Sequence, residues 1–274
     1  MPNLKSNGQR PVVTIATLQK MKREGEKIAS ITAYDATFAA LVDEAGIDLV
    51  LVGDSLGMVV QGHSTTVPVS VNEMVYHSAM VARGLTSAFL VSDLPFLSFT
   101  TPELALKNAA RLMQEGAAHM VKLEGRQEQL PIVETLASAD IPVCAHIGLR
   151  PQSIHKFGGY KVQGKGDEAA NLLVREARLF EEAGADMLLL ECVSSVAASR
   201  VKHEVNIPVI GIGAGVDVDG QILVLYDVLG ITRGRLPGFA KDYTKGGIRA
   251  DDAVRAYVEA VKSGAYPAPE HCFA

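Results

Sequence analysis

Asp48–Gly62, DLVLVGDSLGMVVQG, is the stretch that decides the fold. Leu49 to Val52 are continuously apolar, and the run stops at Gly53, just before Asp54 and Ser55. A short apolar run bounded by glycine is the pattern of a parallel strand buried on both faces. An acid and a hydroxyl at its C-terminal end stand where open α/β sheets and (β/α) barrels place their chemistry. Asp54 is therefore the first candidate functional residue. The competing reading, that it only caps the following turn or helix, has comparable weight on this stretch alone.

Working outward, the same grammar recurs. Ala45-Gly46-Ile47-Asp48, Glu115-Gly116-Ala117-Ala118 and Ala183-Gly184-Ala185-Asp186 each end a helical pattern. Each leads into an apolar run that stops at an acid: Asp54, Glu124 and Glu191. Ile-Pro-Val opens two further runs, at Ile141 and Ile207. Alternating helices and buried strands predict an α/β protein with right-handed crossovers. Seven strands begin near residues 28, 49, 89, 120, 143, 187 and 209, and an eighth is expected over Ile222–Tyr226. Eight such units close a single-domain (β/α)8 TIM barrel spanning residues 14–274. Residues 1–13 read as an N-terminal extension, Ala250–Ser263 as a terminal helix and the Pro-rich tail as surface. The long loops Asp54–Val69 and Leu149–Gly166 are expected to be functional, as loops of that length usually are.

The 274 residues suit one large domain, and 48% apolar composition with no internal shift favours one sizeable core. A net charge of −5, with no basic run, argues against nucleic acid or an acidic membrane as partner. No apolar run approaches the roughly 18 residues of a membrane span, and the polar opening MPNLKSNGQRP lacks a signal-peptide core. Cys144, Cys192 and Cys272 are odd in number and form no CxxC, which predicts free thiols in the cytoplasm and no zinc cluster.

Asp54, Asp93, Glu124, His146 and Glu191 all fall at or just past strand C-termini, which converge on one mouth in a barrel. Lys122 and Glu124 share a strand face because side chains alternate. Several carboxylates in one mouth repel unless a cation separates them or one stays neutral. An oxygen-only donor set favours a hard ion, Mg2+ before zinc. Lys122 suits the carboxylate of an anionic substrate, its alternative being a structural ion-pair network. Glu191 follows three leucines, and such apolar surroundings raise a carboxylate's pKa toward that of a general base for a carbon acid. Its alternative is capping the helix that begins near Ser194. His146 is a candidate for an oxyanion or substrate carboxylate, although a lone strand histidine is more often a satisfied core group. His63, His77, His119, His155 and His203 read as structural, and the Ile210–Gly215 glycine turn is only a weak phosphate signal.

Together these segments resemble the ketopantoate hydroxymethyltransferase family. The carriers are ITAYD from Ile31, VGDSLGMVVQGH from Val52, SDLPF from Ser92, VKLEG from Val121, AHIGL from Ala145, PQS from Pro151, FGGYKVQG from Phe157, LECV from Leu190 and IPVIGIGAG from Ile207. The resemblance runs in one order from about Thr14 to the tail, which is far more specific than any one motif. It implies a (β/α)8 barrel of the phosphoenolpyruvate mutase and isocitrate lyase superfamily. The implied reaction transfers a hydroxymethyl group from 5,10-methylenetetrahydrofolate to 3-methyl-2-oxobutanoate, giving 2-dehydropantoate in pantothenate biosynthesis. By the same resemblance Asp54 and Asp93 hold Mg2+, with Glu124 on it directly or through water. Asp54, Ser55, Asp93 and Lys122 contact the 2-oxo acid, His146 assists, and Glu191 accepts the proton. A homodecamer of two five-membered rings is implied as well. No folate motif is legible, and the long loops are the expected source of that pocket. The runner-up is a Mg2+-dependent lyase or mutase acting on another 2-oxo acid. A non-catalytic barrel is the third reading.

Overall fold

The computed structural model describes residues 10–159 and 161–273. Eight parallel strands form a closed barrel in chain order, with β1 pairing β8. The elements are α1 (Ile15–Glu24), β1 (Ile28–Thr32), α2 (Ala36–Glu44), β2 (Leu49–Val52), α3 (Leu56–Val59), α4 (Val71–Gly84) and β3 (Phe89–Asp93). Next come α5 (Pro102–Gln114), β4 (Met120–Glu124), α6 (Leu130–Ser138), β5 (Val143–Gly148), α7 (Ile154–Phe157) and α8 (Asp167–Glu182). The chain ends with β6 (Met187–Glu191), α9 (Ser195–Glu204), β7 (Val209–Ile212), β8 (Gly220–Leu223), α10 (Leu225–Val228) and α11 (Ala250–Lys262). Among the described residues, no helix is long and apolar enough to cross a membrane.

Alternation along each strand sorts the core in two. Val50, Val52, Leu90, Val121, Ala145 and Leu188 face outward and pack with the helices. Leu49, Leu51, Phe89, Val91, Met120, Cys144, Met187 and Leu189 face inward and fill the barrel axis. At the N-terminal face α1 plugs this interior, burying Leu18 and Met21 beside Val13. Thr14 caps that helix through the Thr17 amide. Residues 1–9 of the expected extension lie outside the described residues; its last part is tied down by Val13 N–H to Ser87 O at 2.8 Å and Arg10 to Ile47 O at 2.7 Å.

Three differences from the sequence reading have physical causes. The eighth strand lies two residues earlier than expected, at Gly220–Leu223. The barrel closes there by pairing Ile28 with Gly220, where a Cβ would stand 2.5 Å from Ile28 O. Close backbone approach demanded glycine, so the strand began with a residue that carries no apolar signal. Tyr226 instead sits in α10, its ring 5.8 Å from that of Tyr34. The loop after Asp54 contains α3, and the loop after β5 contains α7, both too short to show a period. The tail is not plain surface: Tyr266 is buried and its hydroxyl donates to Phe239 O at 2.6 Å.

Candidate active site

The strand ends carry the site. Beyond β2, Gly53 lets the chain turn where a Cβ would meet Ser55 Oγ at 2.8 Å. Asp54 follows, and its backbone N–H donates to Asp93 Oδ2 at 3.0 Å, stitching the ends of β2 and β3 together. The Asp54 carboxylate does not cap a helix; its Oδ2 accepts from Gln152 Nε2 at 2.8 Å. Ser55 Oγ lies 2.9 Å from Tyr34 OH. Lys122 and Glu124 share the inward face of β4, as alternation required, and both are buried.

From Asp93 a polar chain crosses the mouth. Lys122 Nζ stands 2.8 Å from Asp93 Oδ1. The two form a buried ion pair, which holds the ammonium against that oxygen. Lys122 Nζ also lies 3.2 Å from His146 Nδ1. An ammonium only donates, so Nδ1 is the acceptor and the ring proton sits on Nε2. That Nε2–H points toward Glu191 Oε2 at 3.4 Å without completing a hydrogen bond. Glu124 accepts from the Gln152 backbone N–H at 3.1 Å. Asp54, Ser55, Asp93, Lys122, Glu124, His146 and Glu191 line one cavity of about 760 Å³, floored by Leu51, Leu189 and Ile222. All the residues singled out from the sequence for chemistry thus meet in one place.

Burial dominates the electrostatics. It pushes the Asp54 carboxyl up to about 7, with the Asp93 charge adding to the effect. Burial raises Asp93 as well, and raises Glu124 well above the usual carboxylate range with Asp54 as next cause. Glu191 is pushed up to about 8, again chiefly by burial. Burial alone would lower Lys122, yet the Asp93, Glu124 and Asp54 charges hold it above its ordinary value. Burial, with Lys122 and Arg150 nearby, lowers His146 well below its ordinary value. His146 is therefore neutral, and its contacts with Glu124 and Glu191 are not ion pairs.

Other sequence candidates take structural roles. Ser194, not Glu191, caps α9 through the Ala197 amide. His77 Nδ1 bonds Tyr34 O, and His119 Nδ1 accepts from the Leu90 amide. In the glycine turn, a Cβ at Gly213 would stand 2.9 Å from the Phe239 ring, and one at Gly215 would stand 2.6 Å from Ser195 Oγ. Those glycines serve packing. Cys144 and Cys192 are buried free thiols, and burial pushes Cys144 up to about 12.

A model of the ketopantoate hydroxymethyltransferase family matches residues 12–269. The chain belongs to this family. The 3-methyl-2-oxobutanoate hydroxymethyltransferase of Alkalilimnicola ehrlichii is 56% identical over 265 residues, covering 97% of this chain and 95% of the relative. Among solved structures, 2,3-dimethylmalate lyase, a PEP mutase/isocitrate lyase superfamily member, matches with TM-score 0.56 at 16% identity over 77% of this chain and 81% of its own. A phosphonopyruvate hydrolase complex with oxalate and Mg2+ matches with TM-score 0.57 at 15% identity over 78% of this chain and 81% of its own. At such identities these structures share the fold.

In this ketopantoate hydroxymethyltransferase family member the residues suit a hard divalent ion by their chemistry. Three buried carboxylates, Asp54, Asp93 and Glu124, repel one another, with Lys122 as the one cation set against Asp93. Among the described residues no group of three His, Cys, Asp or Glu side chains is already drawn together in a metal-holding arrangement. Gln152 is the residue to which the sequence reading gave no role, although the motif PQS was visible. Its side chain holds Asp54 and its backbone holds Glu124. An amide in a loop offers no charge or periodicity by which to single it out.

Proposed function

We propose that the protein transfers the hydroxymethyl group of 5,10-methylenetetrahydrofolate to 3-methyl-2-oxobutanoate, with water completing the balance, giving 2-dehydropantoate and tetrahydrofolate. The carrying observation is that Glu191, with its carboxyl pushed up to about 8, faces the same cavity as the Asp54, Asp93 and Lys122 cluster. Mg2+ held by Asp54 and Asp93, with Glu124 directly or through water, would supply Lewis-acid stabilisation of the substrate's enolate. The remaining work falls to the chain's own side chains. Lys122 and Ser55 orient the oxo acid's carboxylate. Neutral His146 offers Nε2–H to a substrate oxygen or to Glu191. Glu191 takes the C3 proton, and its raised pKa matches a base operating near neutral pH. The apolar floor excludes bulk water from the carbanionic centre.

The family match favours transfer over lyase or mutase chemistry, and Cys144 and Cys192, both buried with their thiols pushed up by burial, offer no reactive thiol to the alternative. The decamer and a cytoplasmic setting belong to the same proposal. Exposed Tyr76 and Leu97, 64% and 61% accessible, provide apolar surface for self-association, and the three cysteines are free thiols. The test combines purified protein, 3-methyl-2-oxobutanoate, methylenetetrahydrofolate and Mg2+, omitting each in turn. Product must require all of them, and folate-independent cleavage of the oxo acid would instead establish the lyase reading.

A further inference from the structure

The cavity is larger than a branched 2-oxo acid fills, and about 760 Å³ lies in the range that encloses a drug-sized ligand. Its two ends differ in charge. The deep end holds Asp54, Asp93, Glu124 and Glu191 around Lys122. The outer end is lined by Arg233, Arg235 and Lys161, contributed by the segments after β8 and after β5. Among the described residues none of these three cations has an ion-pair partner, and Asp227, an acid lining the same cavity, accepts from the Thr232 hydroxyl.

The same cavity has an aromatic wall. Phe239, from the segment after β8, and Phe273, from the C-terminal tail, meet edge to face with centroids 6.4 Å apart. Both line the cavity. The wall is anchored on each side: Tyr266 OH donates to Phe239 O, while Ser195 donates to Phe273 O from its backbone N–H at 3.0 Å and its hydroxyl at 3.1 Å. Gly213 lies beneath both rings, where any side chain would displace them. Half-buried phenyl groups fixed at the cavity wall, Phe239 backed by the core, present a rigid aromatic surface to a flat ligand.

We infer that the Phe239–Phe273 wall and the Arg233, Arg235 and Lys161 rim form the site for the folate cosubstrate. The pterin and aminobenzoyl rings lie against the phenyls, and the carboxylates of the glutamyl tail meet the rim. This rests on the function proposed above. The charge polarity fixes the direction of entry: a polyanionic tail is repelled by the acids and drawn to the rim, so the one-carbon unit on the ring end faces Glu191. The C-terminal tail is thereby a specificity element, although the sequence shows it only as a Pro-rich surface end.

The test measures both KM values for the full chain with Mg2+, using mono- and triglutamyl methylenetetrahydrofolate. Wild type is expected to prefer the triglutamate, increasingly so at low salt. Arg233→Ala/Arg235→Ala is expected to raise the folate KM about tenfold and to abolish that preference, whereas Arg233→Lys/Arg235→Lys largely keeps it. Phe273→Ala is expected to raise the folate KM for both forms alike. In each variant the folate KM rises relative to the oxo-acid KM. Unchanged folate KM values in both the arginine and the phenylalanine variants would overturn the assignment, as would oxo-acid and folate KM values rising together. Wild-type protein that forms no folate-dependent product would sink the parent reading instead, so the two failures are distinguishable.

Discussion

Glu191 and Gln152 show how much a single side chain's surroundings decide. Glu191 is an ordinary carboxylic acid made basic by burial. The apolar run that precedes it was legible in sequence, so its raised pKa followed from adjacent residues. Gln152 was not legible, because its importance lies in joining Asp54 to Glu124 across 98 and 28 residues of chain. Those contacts exist only once β2, β4 and the loop after β5 are assembled. Replacing Gln152 by Ala removes the donor to Asp54 and is expected to weaken Mg2+ binding about 10- to 100-fold, as loss of a residue orienting a ligand does. Competition with Mn2+ monitored by electron paramagnetic resonance measures this. Wild-type affinity in that variant would mean that Gln152 only fills space.

At the scale of elements, the two ends of each strand have divided labour. Acids that precede strands are structural: Asp48 Oδ2 accepts from Ala29 N at 2.9 Å, Asp186 Oδ2 from Val143 N at 3.0 Å and Asp219 Oδ2 from Val209 N at 2.9 Å. Each fastens a strand start to its neighbour on the face opposite the site, as stability residues of a barrel do. The helix, glycine and acid repeat was visible in sequence and gave the order of elements correctly. It could not show that Asp186 and Glu191, five residues apart, serve opposite ends. Asp186→Ala strands the Val143 amide and is expected to cost about 1–3 kcal/mol of stability. Chemical denaturation would register that loss, while kcat at 25 °C stays near wild type. A large kcat loss with unchanged stability would contradict the division. The strand that escaped clear reading, β8, begins with Gly220 because closure left no room for a side chain, and a missing side chain leaves no pattern to detect.

For the whole molecule, the barrel gathers four acids where burial favours their neutral forms, around a lysine that their charges keep protonated. Burial pushes the Asp54 carboxyl up to about 7 and that of Glu191 up to about 8, against about 4 for carboxyls in an unfolded chain. Between those values the folded state binds more protons than the unfolded state, so stability falls as pH rises. The stabilisation is fully present below about pH 4 and is lost as pH rises through 7 to 8. A divalent ion held by the ionised carboxylates would reverse this loss. In chelator the melting temperature is therefore expected to drop between pH 5 and pH 8. Added Mg2+ should raise it more at pH 8 than at pH 5. Equal increments at both pH values would show that the ion does not engage these carboxylates. The composition and apolar grammar indicated one barrel and one mouth; the end proposed for the cosubstrate stayed hidden, because Phe239 and Phe273 come together only through the folded tail.

The central claim is that Glu191 moves the C3 proton of the oxo acid within the acid cluster. Its most direct test is hydrogen–deuterium exchange at C3 of 3-methyl-2-oxobutanoate, followed by NMR in D2O without folate. The account predicts Mg2+-dependent exchange by the wild type, abolished by chelator and reduced at least about 100-fold in Glu191→Gln. Exchange at the wild-type rate in Glu191→Gln would contradict it.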